Sequence, residues 1–142
     1  MTLPIVDSHA HLDVEQFDSD RDRVIDRALE AGVTTIISVA TDLESSRKAV
    51  QLAGERAEIR AAVGIYPGQA SGVTEEDIAG LAEIAGCPVV VAIGEIGLDY
   101  YHDSSFKEAQ VRALQWQLQL AVKRQLPVIL HCRKAEIGRA HV

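Results

Sequence analysis

Pro88-Val89-Val90-Val91-Ala92-Ile93-Gly94-Glu95-Ile96-Gly97-Leu98-Asp99-Tyr100-Tyr101 is the stretch on which the fold turns. Residues 88–93 carry no charge and are rich in β-branched side chains. They show no polar alternation, so the run fits a strand covered on both faces, as in a parallel sheet. At Gly94 the run breaks and a carboxylate, Glu95, follows at the strand's carboxyl end.

Working outward, the same kind of segment recurs. Thr34-Thr35-Ile36-Ile37-Ser38-Val39 is β-branched and apolar on both faces, and residues 59–65 form a further strand running into the turn signal Tyr66-Pro67-Gly68. Strands are expected at 3–6 and 127–130 as well. Helical spacing fills the gaps between them. Ser19-Asp20-Arg21-Asp22 reads as a capping box before the stripe Val24, Ile25, Ala28 and Leu29, with Gly32 just past the helix. Thr41 or Asp42 caps a second helix, with Leu43, Val50, Leu52 and Ala53 apolar. Thr74-Glu75-Glu76-Asp77 opens a third, with stripe Ile78, Leu81, Ala82 and Ala85 and a stop at Gly86. The longest is expected to start at Ser105 with Glu108 as its capping partner and Val111, Leu114, Leu118, Ala121 and Val122 as its apolar face.

Strand and helix thus alternate, which implies an α/β fold with a parallel sheet and right-handed crossovers. A doubly wound sheet and a (β/α)8 barrel both begin this way. No G-x-G-x-x-G follows the first strand and no Walker loop is present, so nucleotide-binding versions lose support.

Composition narrows the function classes. The 142 residues are 47% apolar and 25% charged, with a net charge of −7. That balance suits a globular chain and gives no basic footprint for nucleic acid or an anionic membrane. A nucleic-acid substrate would need a local positive site, which bound metal can supply. Only 4% of residues are aromatic, which disfavours base-stacking platforms of the RRM or OB type. No run is long and apolar enough to span a bilayer, and Met1-Thr2-Leu3-Pro4 does not open a signal peptide. Cys87 and Cys132 show neither C-x-x-C spacing nor a disulfide framework, so a cytoplasmic location is expected. Nothing points to an obligate protein partner.

The polar residues decide between the two architectures. His9 and His11 sit two apart after the first strand, in Val6-Asp7-Ser8-His9-Ala10-His11-Leu12-Asp13. In an extended chain such a pair projects from one face, which suits a divalent metal with nitrogen ligands. Glu95 ends the fourth strand and His131 the fifth. Singly, each has a plainer reading: two loop histidines, a surface or capping carboxylate, a satisfied strand-edge histidine. Together on the carboxyl rim, where barrels place their active sites, they make a metal site the better reading.

Three segments carry a family resemblance: Asp7-Ser8-His9-Ala10-His11-Leu12-Asp13, then residues 92–101, then Leu126-Pro127-Val128-Ile129-Leu130-His131-Cys132-Arg133-Lys134-Ala135. They resemble the TatD family of metal-dependent deoxyribonucleases, within the wider amidohydrolase-like barrels. The resemblance implies that His9 and His11 bind one metal, that Glu95 binds between two and is the catalytic carboxylate, and that His131 binds the second. It implies two divalent ions of the Mg, Mn or Zn kind, DNA as substrate, and phosphodiester hydrolysis by a metal-activated water. One departure stands out: where the family often has Gly-Ile-His-Pro-His, this chain has Gly64-Ile65-Tyr66-Pro67-Gly68.

Barrels of this kind run to ~250 residues. Residues 1–135 are therefore expected to form the N-terminal part of a TIM barrel, about five of its eight strands. Residues 136–142 (Glu136-Ile137-Gly138-Arg139-Ala140-His141-Val142) fit no helix pattern and back-translate into a sequencing-library adapter, so they are expected to be a non-native tail, with no role for His141. The 142-residue chain itself is expected to be inactive or a poor enzyme with weak metal binding, and an amidohydrolase-like activity on a cyclic amide or lactone stays open as the other function. Asp99 is expected either to partner a ligating histidine or to cap its loop.

Overall fold

A computed structural model describes residues 3–102 and 105–135. Five strands form one parallel sheet in the order β1 (Ile5–Ala10), β2 (Val33–Val39), β3 (Ile59–Val63), β4 (Val90–Asp99) and β5 (Val128–Arg133). Sequential neighbours pair directly, and the crossovers are α1 (Arg21–Glu30), α2 (Leu43–Glu55), α3 (Glu75–Ile84) and α4 (Lys107–Arg124). This is the arrangement expected for part of a (β/α)8 barrel. The expected tail at 136–142, His141 included, lies outside the described residues.

The main core lies between sheet and helices. Ile36, Ile59, Val63, Ile93 and Ile96 pack there with Ile25, Leu52, Leu81 and Leu120. The opposite face carries a smaller cluster, Val39, Ala62 and Ala92, with Ile37 and Ile129 against it. The small residues at its centre suit the crowded interior of a curling sheet.

Local chemistry explains most boundaries. Asp42 caps α2 by accepting from the Ser45 N–H at 2.7 Å, and Thr74 with Asp77 forms a reciprocal capping box on α3. Gly32 ends α1 with φ +97°, a conformation that favours glycine. The capping boxes expected for α1 and α4 do not form: Asp20 and Phe106 are the N-caps, and neither side chain caps.

Three corrections bear on the site. β1 runs to Ala10 rather than stopping at Val6, so His9 stands within the strand and His11 just past it. β4 runs to Asp99 and β5 to Arg133, so Glu95 and His131 are strand residues and not terminal ones. The reason for the longer β4 is its tight seam with β5. A Cβ on Gly94 would lie 2.6 Å from Ile129 Cβ, and one on Gly97, at φ +150°, 1.9 Å from the His131 carbonyl oxygen. The two glycines let pairing continue past Glu95 to Asp99, with a register irregularity between Ile93 and Ile96.

The third correction concerns α4. Its buried face is Gln110, Ala113, Gln117, Leu120 and Ala121, whereas Val111, Leu118 and Val122 are exposed. Each glutamine side chain replaces a missing strand neighbour. Gln117 accepts from Ile65 N–H at 2.7 Å and donates to Ile65 C=O at 3.1 Å. Gln110 does the same for Asp99, at 2.8 and 3.0 Å. Buried backbone groups must be paired, and a carboxamide offers both a donor and an acceptor.

Candidate metal centre

The four residues singled out in the sequence come together. His9 and His11 reach across from β1, Glu95 rises from β4 and His131 from β5. His9 Nε2 lies 3.6 Å from Glu95 Oε2, and His11 Nε2 lies 4.0 Å from the same oxygen. His131 Nδ1 lies 2.8 Å from Glu95 Oε1. One potential ligand atom from each of His9, His11 and Glu95 falls within 4.8 Å of the others, a spacing a single divalent ion can span.

Hydrogen bonds orient the rings. His11 Nδ1 is 2.7 Å from the Val39 carbonyl oxygen. A carbonyl only accepts, so Nδ1 carries the proton and Nε2 turns its lone pair toward Glu95. His131 stands between two carboxylates, with Nδ1 on Glu95 and Nε2 3.1 Å from Asp99 Oδ2. A neutral imidazole can donate to only one of them. The other nitrogen then presents a lone pair to an acceptor, a contact that calls for a cation or a second proton between them. The donor set, three imidazoles and a carboxylate, is one that Zn²⁺ and other divalent ions accept.

Asp99 is the hub of the surrounding shell. It is 1% exposed. Oδ2 accepts from the Tyr66 hydroxyl at 2.6 Å and faces His102 Nδ1 at 2.7 Å, while Oδ1 accepts from the Tyr101 and His102 N–H groups at 3.0 and 3.2 Å. Burial pushes its carboxyl up, but the hydrogen bonds from Tyr66, His102 and the backbone outweigh burial and hold it well below the usual carboxylate range. Tyr66 moves the other way: burial first, then its bond to the Asp99 carboxylate, push the phenol up to about 12. The Tyr66 ring also stands edge-on to His131, centroids 4.8 Å apart. Asp99 therefore points at the ligand group and not to solvent.

Asp13, from the opening motif, lies outside this cluster. Burial raises its carboxyl, and its Oδ1 is buried without a hydrogen-bond partner among the described residues.

Sequence reasoning missed Tyr66 and His102. Tyr66 stands where the related pattern has histidine, directly past β3 on the same rim, and that position was the available signal. His102 follows Asp99 by three residues, within reach of a turn. Gln110 and Gln117 were also missed, although with Ala113, Leu120 and Ala121 they trace one helical face, and Gln117 fixes the residue before Tyr66.

The family described as TatD related DNase matches residues 6–141. An uncharacterized metal-dependent hydrolase, YabD of Bacillus subtilis, is 41% identical over 131 residues, 92% of this chain and 51% of its own length. The 3'-5' ssDNA/RNA exonuclease TatD of Erwinia amylovora is 42% identical over 130 residues, 91% of this chain and 50% of its own. The crystal structure of YJJV, a TatD homolog from Escherichia coli K12, aligns with a TM-score of 0.86 at 36% identity, covering 93% of this chain and 52% of that one. The chain spans about half the length of the curated relatives it matches.

Proposed function

From the premise that this chain belongs to the TatD-related DNase family, we propose that it contributes the divalent-metal site of a hydrolase that cleaves phosphodiester bonds in DNA. The observation that carries the reading is the convergence of His9, His11 and His131 on the two carboxylate oxygens of Glu95. His9 and His11 would hold one ion, His131 a second, and Glu95, with one oxygen toward each side, would bridge them. Mg²⁺, Mn²⁺ and Zn²⁺ all remain compatible with these donors. When bound, such ions supply Lewis acidity and neutralise charge on a phosphodiester.

The chain's own residues set the geometry. Glu95 is held on the best-packed strand, and its oxygens separate the β1 histidines from His131. Val39 C=O fixes the proton of His11. Asp99, kept ionised by Tyr66 and His102, accepts from His131 Nε2 and so turns Nδ1 toward Glu95. Orienting acceptors of this kind typically change metal affinity by about 10–100-fold. A glutamate at the bridging position weighs against the cyclic-amide and lactone reading, whose enzymes often use a modified lysine there. The free thiols Cys87 and Cys132 fit a reducing, cytoplasmic setting. Among the described residues no helix is long and apolar enough to cross a membrane.

The test is release of nucleotides from a labelled single-stranded oligonucleotide by the 142-residue chain with Mg²⁺, Mn²⁺ or Zn²⁺, against EDTA and against Glu95→Gln. Metal-dependent release far slower than that of a full-length relative, and abolished by Glu95→Gln, is expected. Release that survives EDTA, or a Glu95→Gln rate equal to the parent's, would sink the proposal.

A further inference from the structure

A metal group in a chain with 21 acidic and 14 basic side chains must still hold a polyanion. Three cations elsewhere in the molecule, Arg21, Lys48 and Arg56, are paired with carboxylates. Two cations beside the candidate centre are different. Arg133 Cζ lies 4.1 Å and Lys134 Nζ 4.8 Å from the centroid of the Tyr101 ring. Among the described residues neither side chain has a hydrogen bond or a carboxylate partner, although the Arg133 carbonyl accepts from Tyr100 N–H at 3.0 Å.

Their position follows from strand geometry. Arg133 is two residues beyond His131 on β5, so it projects from the same face. It is in register with Asp99 of β4, the carboxylate that His131 touches. Tyr101 is tied to the same carboxylate through its N–H, and its ring stands edge-on to His102, centroids 5.1 Å apart. The three side chains therefore form a lip one residue removed from the ligand group. Lys134 reaches it because the chain turns there with φ +51°, a left-handed conformation that disfavours a lysine. Backbone strain of that kind concentrates at functional sites.

The chemistry of the lip is specific. Tyr101 is 52% exposed, and among the described residues only Arg133 and Lys134 stand over its ring face. An inorganic anion would satisfy the cations and leave the ring bare. A nucleotide satisfies both: its phosphate draws the cations off the ring, and its base takes their place. A paired duplex keeps its base faces stacked inside, whereas a single strand offers them. We propose that Tyr101, Arg133 and Lys134 form a subsite for one nucleotide of a single strand, phosphate on the cations and base on the ring. This rests on the hydrolase reading only for the place of the scissile bond beside it.

NMR titration of the 142-residue chain with thymidine 5′-monophosphate, inorganic phosphate and thymidine, in Mg²⁺ and again in EDTA, tests it. The nucleotide should bind more tightly than either part and move the Tyr101 ring protons upfield. Tyr101→Ala should lose roughly fivefold or more of the nucleotide affinity, the share that stacking supplies, and leave phosphate affinity unchanged. Arg133→Gln with Lys134→Gln should weaken both nucleotide and phosphate and flatten the salt dependence of binding. Equal affinity for phosphate and nucleotide, or phosphate affinity untouched by the double substitution, overturns the subsite. Mn²⁺ calorimetry on the same chains reports the metal reading separately. A chain that takes up Mn²⁺ without discriminating the nucleotide defeats the subsite alone; one that discriminates it without taking up Mn²⁺ defeats the metal site alone.

Discussion

The middle of the sheet and its flanks are held by different forces. β2, β3 and β4 are packed on both faces, and Ile59, Val63, Ile93 and Ile96 are all at most 0% exposed. On the flanks, β1 leaves Ile5 and Val6 more than half exposed, and β5 does the same with Leu130. Yet the candidate centre draws on both: Glu95 from the middle, His9 and His11 from one flank, His131 from the other. The carboxylate is positioned by packing. The histidines are positioned by hydrogen bonds reaching inward, His11 to Val39 and His131 to Asp99. The main apolar core and the strands that carry the histidines are therefore different, and the two can be perturbed separately.

The largest effect should come from the middle. Ile93→Ala removes a fully buried side chain and should cost about 2–5 kcal/mol, including the cavity left behind. Ile5→Ala, on a side chain 53% exposed, should cost under about 1 kcal/mol. Urea unfolding of the two variants measures both. Similar costs would show that β1 is as firmly packed as β4 and would break the comparison.

The same division decides how much was legible in the sequence. The middle strands announce themselves, because a strand covered on both faces leaves an uncharged, β-branched run, as at residues 34–39 and 88–93. The candidate ligands were legible as a group too: His9, His11 and His131 all lie within 4.0 Å of the Glu95 carboxylate. What stayed hidden is the polar scaffold. Gln110 and Gln117 are buried because loop-end backbone at Ile65 and Asp99 needs partners, and that need arises only once the sheet is assembled. A hydrophobic stripe cannot report it: of the expected face Val111, Leu114, Leu118, Ala121 and Val122, Ala121 is buried and Leu114 packs on the core, while the other three are exposed. Tyr66 was hidden for a related reason. Its role depends on Asp99, thirty-three residues away in sequence.

Asp99 joins the middle of the sheet to the β5 flank and gives the intermediate effect. Its folded-state pKa is depressed, so its stabilising contribution is present above the ordinary carboxylate value near 4 and is lost as pH falls through the folded-state value. Asp99→Asn should lower stability by about 1–2 kcal/mol at neutral pH, where charged hydrogen bonds are lost. The parent should then lose more stability than the variant on acidification, because the other carboxylates are common to both. Urea midpoints at pH 7 and pH 3 give the comparison. A gap that stays constant or widens at pH 3 would mean that Asp99 is not held in its ionised form by Tyr66 and His102.

The smallest effect should come from the exposed face of α4, where pattern and structure disagree most directly. Val122 is 79% exposed and Leu118 37%. Replacing both with glutamine removes apolar surface that water already reaches, and glutamine is a good helix former. Surface changes of this kind usually stay within about 0.5 kcal/mol each. The folded chain should therefore keep its urea midpoint, while its binding of a hydrophobic dye and its self-association fall, since an apolar patch has been taken from solvent. The opposite face provides the internal contrast: it is fixed by Gln117, whose carboxamide closes two backbone hydrogen bonds at Ile65. If Leu118→Gln with Val122→Gln instead costs several kcal/mol, those side chains are buried in solution. The helix would then present the face read from its hydrophobic spacing, and the glutamine contacts at Ile65 and Asp99 would be lost with it.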